Sequence, residues 1–205
     1  MIPKIIHFIW MQGLDAMPAN YRRCVDSWAR LNPGWQVKVW SRANLPKLDN
    51  AWALDLPTAT FQCDVIRFEI VHQFGGIYFD ADHECRLPLD GLVDGKRGFV
   101  SRRNSRVIEN SGFGAVSHAE WLREVMDLLR ENRQLLRHSF DTDFYWWRVV
   151  ASHPELHVFP WWTFQSTGKG QDEWKPHGDV HALHHRFALW TQEKPEYADA
   201  YGRGV

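Results

Sequence analysis

The order of three apolar runs in the first eighty residues restricts the fold more than any other feature. Residues 4–10, KIIHFIW, are almost continuously apolar, as in a strand buried on both faces of a parallel sheet. Residues 35–40, WQVKVW, alternate at period two, and residues 77–80, IYFD, form a third run behind two glycines. Between the first two runs, Pro18 opens a stretch in which Tyr21, Cys24, Val25, Trp28 and Leu31 recur at helical spacing until NPG stops it. Between the second and third, Thr58 to Phe74 carries Phe61, Val65, Phe68 and Val71 or His72 on one stripe, with Gly75 as its end. Strands separated by helices imply right-handed crossovers and an α/β sheet.

Further along, GFVS at 98–101 and GFGAVS at 112–117 read as shorter strands. Residues 118–138 read as a helix with Trp121, Val125, Leu128 or Leu129, and Leu136 on its apolar side. The last third concentrates tryptophan in FYWWRVV, FPWWTF and DEW, and no repeat or linker divides the chain. At 205 residues and 44% hydrophobic, one domain with a sizeable core is expected. Lys+Arg 24 against Asp+Glu 25 leaves a net charge of -1, which argues against nucleic acid as a partner. Three cysteines without paired spacing fit a reducing cytoplasm better than a disulfide scaffold. The N-terminal apolar run is too short to span a bilayer and lacks a signal-peptide cleavage site, so no transmembrane segment is expected.

The third strand runs straight into acids: GGIYFDADHE at 75–84. Carboxylates at the end of a buried strand are costly unless a cation or donors receive them. The carboxyl ends of strands are also where α/β sheets bind ligands. Asp80 and Asp82 alternate along an extended segment and can face one cation together. Hard oxygen ligands favour Mg2+ or Mn2+, completed by substrate phosphates. In the preceding helix, Asp64 and Arg67 lie three apart and share a face. A second Asp-x-Asp, Asp141 to Asp143, follows no such strand. Near the end, HALHH supplies His181, His184 and His185, and a histidine beside carboxylates suits manganese. The zinc-protease His-Glu-x-x-His is missing, GLVDGKR fails as a Walker loop, and no Gly-x-Ser-x-Gly elbow occurs.

The segments IPKIIHFIW, SWARLNPGWQVKVW, CDVIRFEIVHQFGGIYFDAD and LHHRFALW, in that order, resemble the DXD-motif sugar transferases. This is the family of yeast initiating α-1,6-mannosyltransferases and many bacterial capsule enzymes, distantly akin to the glucosylating domains of large toxins. The likeness spans nearly the whole chain and is densest over residues 2–85. It implies a single α/β domain of GT-A type over 1–205, a Rossmann-like, mixed but mostly parallel sheet flanked by helices, with 1–85 as the nucleotide-sugar half and 86–205 as the acceptor half with a C-terminal metal and lid segment. It also implies a UDP- or GDP-sugar donor, with UDP favoured, a Mn2+ or Mg2+ ion and transfer with retention.

By the same resemblance, Trp10 matches the aromatic that stacks on the nucleobase, and Asp64 and Arg67 match the pair on ribose and sugar hydroxyls. Tyr78 and Asp80 match positions lining the donor pocket, with Trp190 a further donor contact. Asp82 matches the direct metal ligand, joined by His184, six residues before Trp190, with His185 as the alternative. Asn110 falls where the family keeps a polar residue near the transferred sugar, completing a catalytic set of Asp80, Asp82 and Asn110. After residue 138 the chain departs from its relatives, and Asp143 or Trp146 is the expected acceptor contact. The implied reaction moves a hexose to a saccharide of a bacterial polysaccharide or lipopolysaccharide. An inactive sugar-binding module, a metal-dependent phosphohydrolase, and transfer to protein or modified DNA bases are the competing readings.

Overall fold

A computed structural model describes residues 1–103, 107–138, 141–165 and 178–187. A six-stranded sheet is built from β1 (Ile5–Ile9), β2 (Gln36–Trp40), β3 (Gly76–Phe79), β5 (Gly98–Arg102), β6 (Ile108–Ala115) and β7 (His157–Phe159). Its order is β2-β1-β3-β6-β5-β7, and β6 is the strand that runs against its neighbours. A separate antiparallel pair joins β4 (His83–Cys85) to β8 (Ala182–His184). The helices are α1 (Ala19–Leu31), α2 (Ala59–Phe74), α3 (Glu120–Glu131), α4 (Asp141–Ser152) and the short α5 (Trp161–Phe164).

Side chains alternate across β3, and each face builds its own core. Ile77 and Phe79 join Ile6, Phe8 and the α1 residues Tyr21, Val25 and Trp28 on one side. Tyr78 joins Phe113 and the apolar faces of α2, α3 and α4 on the other. Because α2 lies between the sheet and α3, residues all around it are buried, Asp64 and Arg67 among them. Thr58 caps α2 by accepting the Phe61 N–H at 3.2 Å. Gly75 and Gly76 then turn the chain directly into β3 with φ of 64° and 96°. A Cβ on Gly76 would lie 2.5 Å from the Ile5 carbonyl oxygen, so β1 can approach only a glycine there.

The sequence expectations hold for the first three strands and two helices, with Pro18 sitting just before α1 rather than inside it. The expected helix 118–138 is shorter: α3 ends at Glu131, where Asn132 turns its amide back onto the Leu128 carbonyl at 2.8 Å. The expected strand at 112–117 begins earlier, at Ile108, so Asn110 lies on β6. Register shifts between Val100 and Ser101, an irregularity that bends this end of the sheet beside the acids.

Candidate functional site

The acids stand where β3 ends, and the two aspartates of Asp80-Ala81-Asp82 enter different clusters. Asp80 is reached by Arg67, whose guanidinium is buried at 3% exposure over the Tyr78 ring, 4.9 Å from its centroid. Arg67 Nη1 lies 3.3 Å from Asp80 Oδ1 and donates to Asn110 Oδ1 at 3.0 Å and to the Asn110 carbonyl at 3.1 Å. Its Nη2 pairs with Asp64 one turn earlier, as the three-residue spacing requires. The Tyr78 hydroxyl donates to Asp80 Oδ1 at 2.7 Å, and Asn110 Nδ2 donates to Asp143 Oδ1 at 2.6 Å. Burial drives the Tyr78 hydroxyl well above its ordinary value, keeping it a donor toward Asp80. Burial also pushes the Asp143 carboxyl up to about 7, with Glu109 adding to the rise and Arg67 and Arg103 opposing it.

Asp82 meets a different environment. Antiparallel pairing of β4 with β8 sets His83 opposite His184, and the His185 N–H donates to the Asp82 carbonyl at 3.1 Å. His184 Nε2 therefore comes within 3.3 Å of Asp82 Oδ1, while the Phe187 N–H donates to Asp82 Oδ2 at 3.1 Å. Burial works against the Asp82 charge, but His184 overrides it and holds the carboxyl well below the usual carboxylate range. The other ring nitrogen of His184 bonds Gln165 Oε1 at 2.8 Å. His185 points to the opposite side of the ribbon, onto Glu84 Oε2 at 2.8 Å, so only one of the two candidate histidines reaches Asp82.

Asp82, His83 and His184 offer ligand atoms within 4.8 Å of one another. The two imidazoles stack with centroids 4.0 Å apart and planes 23° from parallel. Metal ions bind in the plane of an imidazole, so rings stacked this way cannot both present a lone pair to one ion. Among the described residues, His83 makes no hydrogen bond through either ring nitrogen. Burial, and the charge of His184 beside it, drive its pKa well below the ordinary value, so it lies against the cluster as a neutral ring. One carboxylate oxygen and one imidazole nitrogen facing each other fit a divalent cation whose remaining ligands are substrate oxygens and water.

The other expected residues are partly accounted for. Trp10 directly follows β1, half-buried against Tyr21 at 4.9 Å, and Tyr21 meets Phe187 at 5.1 Å, so an aromatic row runs from Trp10 to the segment after β8 that bonds Asp82. Trp190 lies outside the described residues. Trp146 does not line the site: it is fully buried among Phe68, Phe113 and Trp121, since α4 turns that face into the core. Trp147, next to it, is 54% exposed. Sequence reasoning passed over Gln165 and Arg186, which no local pattern marks. Arg186 has a left-handed φ of 51° and approaches Glu109 Oε2 at 3.6 Å.

A family profile described as capsular polysaccharide synthesis protein matches residues 1–134. Inositol phosphoceramide mannosyltransferase 3 of Schizosaccharomyces pombe is 27% identical over 206 residues, covering 96% of this chain and 53% of that protein. The chain thus spans about half the length of this curated relative. The solved PaToxG glycosyltransferase superposes with a TM-score of 0.60 at 15% identity, over 75% of this chain and 69% of that one. A glycosyltransferase involved in glycosylation of the major capsid of PBCV-1 gives 0.59 at 14% identity, over 96% of this chain and 100% of that one. At these identities the two structures show a shared fold, that of the GT-A glycosyltransferases.

Proposed function

The chain belongs to the capsular polysaccharide synthesis protein family, and on that premise we propose that it is a metal-dependent retaining glycosyltransferase moving a hexose from a nucleotide-sugar to a saccharide acceptor. The observation that carries this is the division of the two aspartates between a saturated cluster around Arg67 and an unsaturated one facing His184. Asp82 and His184 would hold Mn2+ or Mg2+, which would supply positive charge to the departing diphosphate. Arg186, beside Glu109, brings a second positive charge to that side.

In this reading Trp10 stacks on the base of a UDP- or GDP-sugar, and Asp64, Arg67, Tyr78 and Asp80 hold ribose and sugar hydroxyls in a buried, pre-set frame. Asn110, held by Arg67 and Asp143, faces the reacting sugar. The acceptor hydroxyl oxygen bonds to the anomeric carbon as the glycosyl–phosphate bond breaks. The electron pair leaves with the diphosphate, and so does the hydroxyl proton. Residues 1–85 form the donor half and 86–205 the acceptor half, with the acceptor along α4, where Asp143 and exposed Trp147 lie one turn apart. The mannosyl transfer in the fission-yeast relative's name supports a hexose, and the family description supports a polysaccharide acceptor. Three cysteines without paired spacing suit the cytoplasm, where we place the reaction. No helix among the described residues is long and apolar enough to cross a membrane.

The test is purified protein with manganese and a panel of UDP- and GDP-sugars, wild type beside Asp82→Ala, with free nucleoside diphosphate as the readout. Metal-dependent release from one donor, lost in the variant, supports the proposal and names the sugar. Equal release from both proteins overturns it, and tight donor binding without release, even with oligosaccharide acceptors present, marks a sugar-binding module instead.

A further inference from the structure

Resting on the cation reading above, we propose that Gln165 is a positioning residue: it sets the tautomer of His184 and so reserves His184 Nε2 for the cation held with Asp82. The inference follows from a chain of hydrogen bonds that is satisfied throughout in one orientation of the Gln165 amide. The Gly112 carbonyl can only accept, and the Ser101 hydroxyl donates to it at 3.0 Å. With its one proton spent, Ser101 can only accept from Gln165, which fixes the nearby amide atom, at 3.1 Å, as the nitrogen. The same nitrogen reaches the Ser111 hydroxyl at 3.0 Å. Gln165 Oε1, which the Ser111 hydroxyl also reaches at 3.3 Å, then lies against His184 Nδ1 at 2.8 Å, and an amide oxygen there requires a proton on Nδ1. In neutral His184 the lone pair then resides on Nε2, the atom that faces Asp82 Oδ1 at 3.3 Å. A lone pair and a carboxylate oxygen repel at that distance, so a proton or a metal ion belongs between them.

Free neutral histidine favours the opposite tautomer, with its proton on Nε2, which would block metal binding at that atom. Gln165 reverses the preference from a rigid position. Its exposure is 2%, and those of Ser101 and Ser111 are 0% and 1%. Its backbone N–H closes α5 onto the Trp161 carbonyl at 2.7 Å, and the His181 N–H bonds the Thr163 carbonyl at 2.8 Å, stitching α5 to the strand that carries His184. Gly112 completes the arrangement, since a Cβ there would press on the Phe79 ring at 3.1 Å and approach the Gln165 amide at 3.6 Å.

Two readouts test the proposal, neither of them turnover. Long-range 1H–15N correlation on metal-free protein, with His184 assigned by comparison with His184→Asn, should show a proton on Nδ1 in the wild type, whether or not Nε2 also carries one, and an unprotonated Nδ1 in Gln165→Leu. Manganese binding followed by electron paramagnetic resonance should weaken by roughly 10- to 100-fold in Gln165→Leu, the range for loss of an outer-shell partner. Gln165→Glu, which keeps an acceptor for the Nδ1 proton, should recover most of that affinity. Ser101→Ala, which frees the amide to flip without removing it, should lose less. Should Gln165→Leu fail to fold, Ser101→Ala and Gln165→Glu carry the same comparison. A wild type whose His184 Nδ1 carries no proton, or manganese affinity untouched in Gln165→Leu, overturns the inference. If the wild type binds no manganese, the cation reading fails, and the tautomer measurement still decides the role of Gln165.

Discussion

Asp80 and Asp82 are two residues apart in the chain and opposite in their bonding. Asp80 accepts from Tyr78 and pairs with Arg67, which also takes Asp64 and Asn110, so the guanidinium serves as the hub of a closed network. Asp82 instead faces an imidazole nitrogen and receives a backbone N–H, with a second imidazole, unbonded among the described residues, stacked behind. A closed buried network holds a shape, because every charge already has its partner. An open one is suited to take a ligand. In the function proposed above, the contrast separates a frame that would preset the donor pocket from a seat that would take the cation.

Removing the hub of the closed network should have the largest effect. Arg67→Met strands the Asp64 and Asp80 carboxyls in the interior, and urea unfolding should show a loss of about 3–5 kcal/mol. In the open network, Asp82→Ala should lower kcat by about 10²–10³, or about 3–4 kcal/mol, as removal of one preorganised electrostatic group does. Its metal-free stability should change far less than that of Arg67→Met; equal destabilisation of the two variants would dissolve the comparison. Manganese at a hundred times its Kd should stabilise the wild type by about 2.7 kcal/mol and leave Asp82→Ala unaffected, read as a shift in melting temperature.

Titration sharpens the contrast further. The Asp143 carboxyl sits at about 7 when folded against an ordinary 3.8, facing Glu109, Arg67, Arg103 and Asp80. The folded protein therefore keeps a proton that the unfolded chain has released, and this group makes stability fall as pH rises from about 4 to about 7. Asp143→Asn should flatten that part of the pH–stability curve measured by urea unfolding, and an unchanged slope would remove Asp143 from the closed network. The smallest effect is expected at Trp147→Ala, outside both clusters. Unfolding free energy should move by no more than about 0.5 kcal/mol, while the acceptor KM rises roughly two- to tenfold if a sugar stacks there.

Legibility in the sequence followed the range of the interaction. The three apolar runs and the stripes between them marked β1, β2, β3, α1 and α2, because periods of 2 and 3.6 are local consequences of backbone geometry. The Asp64–Arg67 pair was legible for the same reason. The strands β4 and β8 have three residues each, too few to display a period. The run FDTDFYWW is aromatic on every side, so nothing in it says which indole faces the core; packing against Phe68 and Phe113 buries Trp146 and leaves Trp147 outside.

By itself, then, the sequence determined the α/β alternation and the placing of two aspartates at the carboxyl end of a buried strand, since both follow from neighbours within a few residues. Tertiary structure alone decided that His184 rather than His185 meets Asp82, that Asn110 bridges Arg67 to Asp143, and that Gln165 stands behind His184. Each of these joins residues 19 to 102 positions apart. A one-residue slip in the pairing of β4 with β8 would turn the other histidine inward, and only the packed fold sets that register.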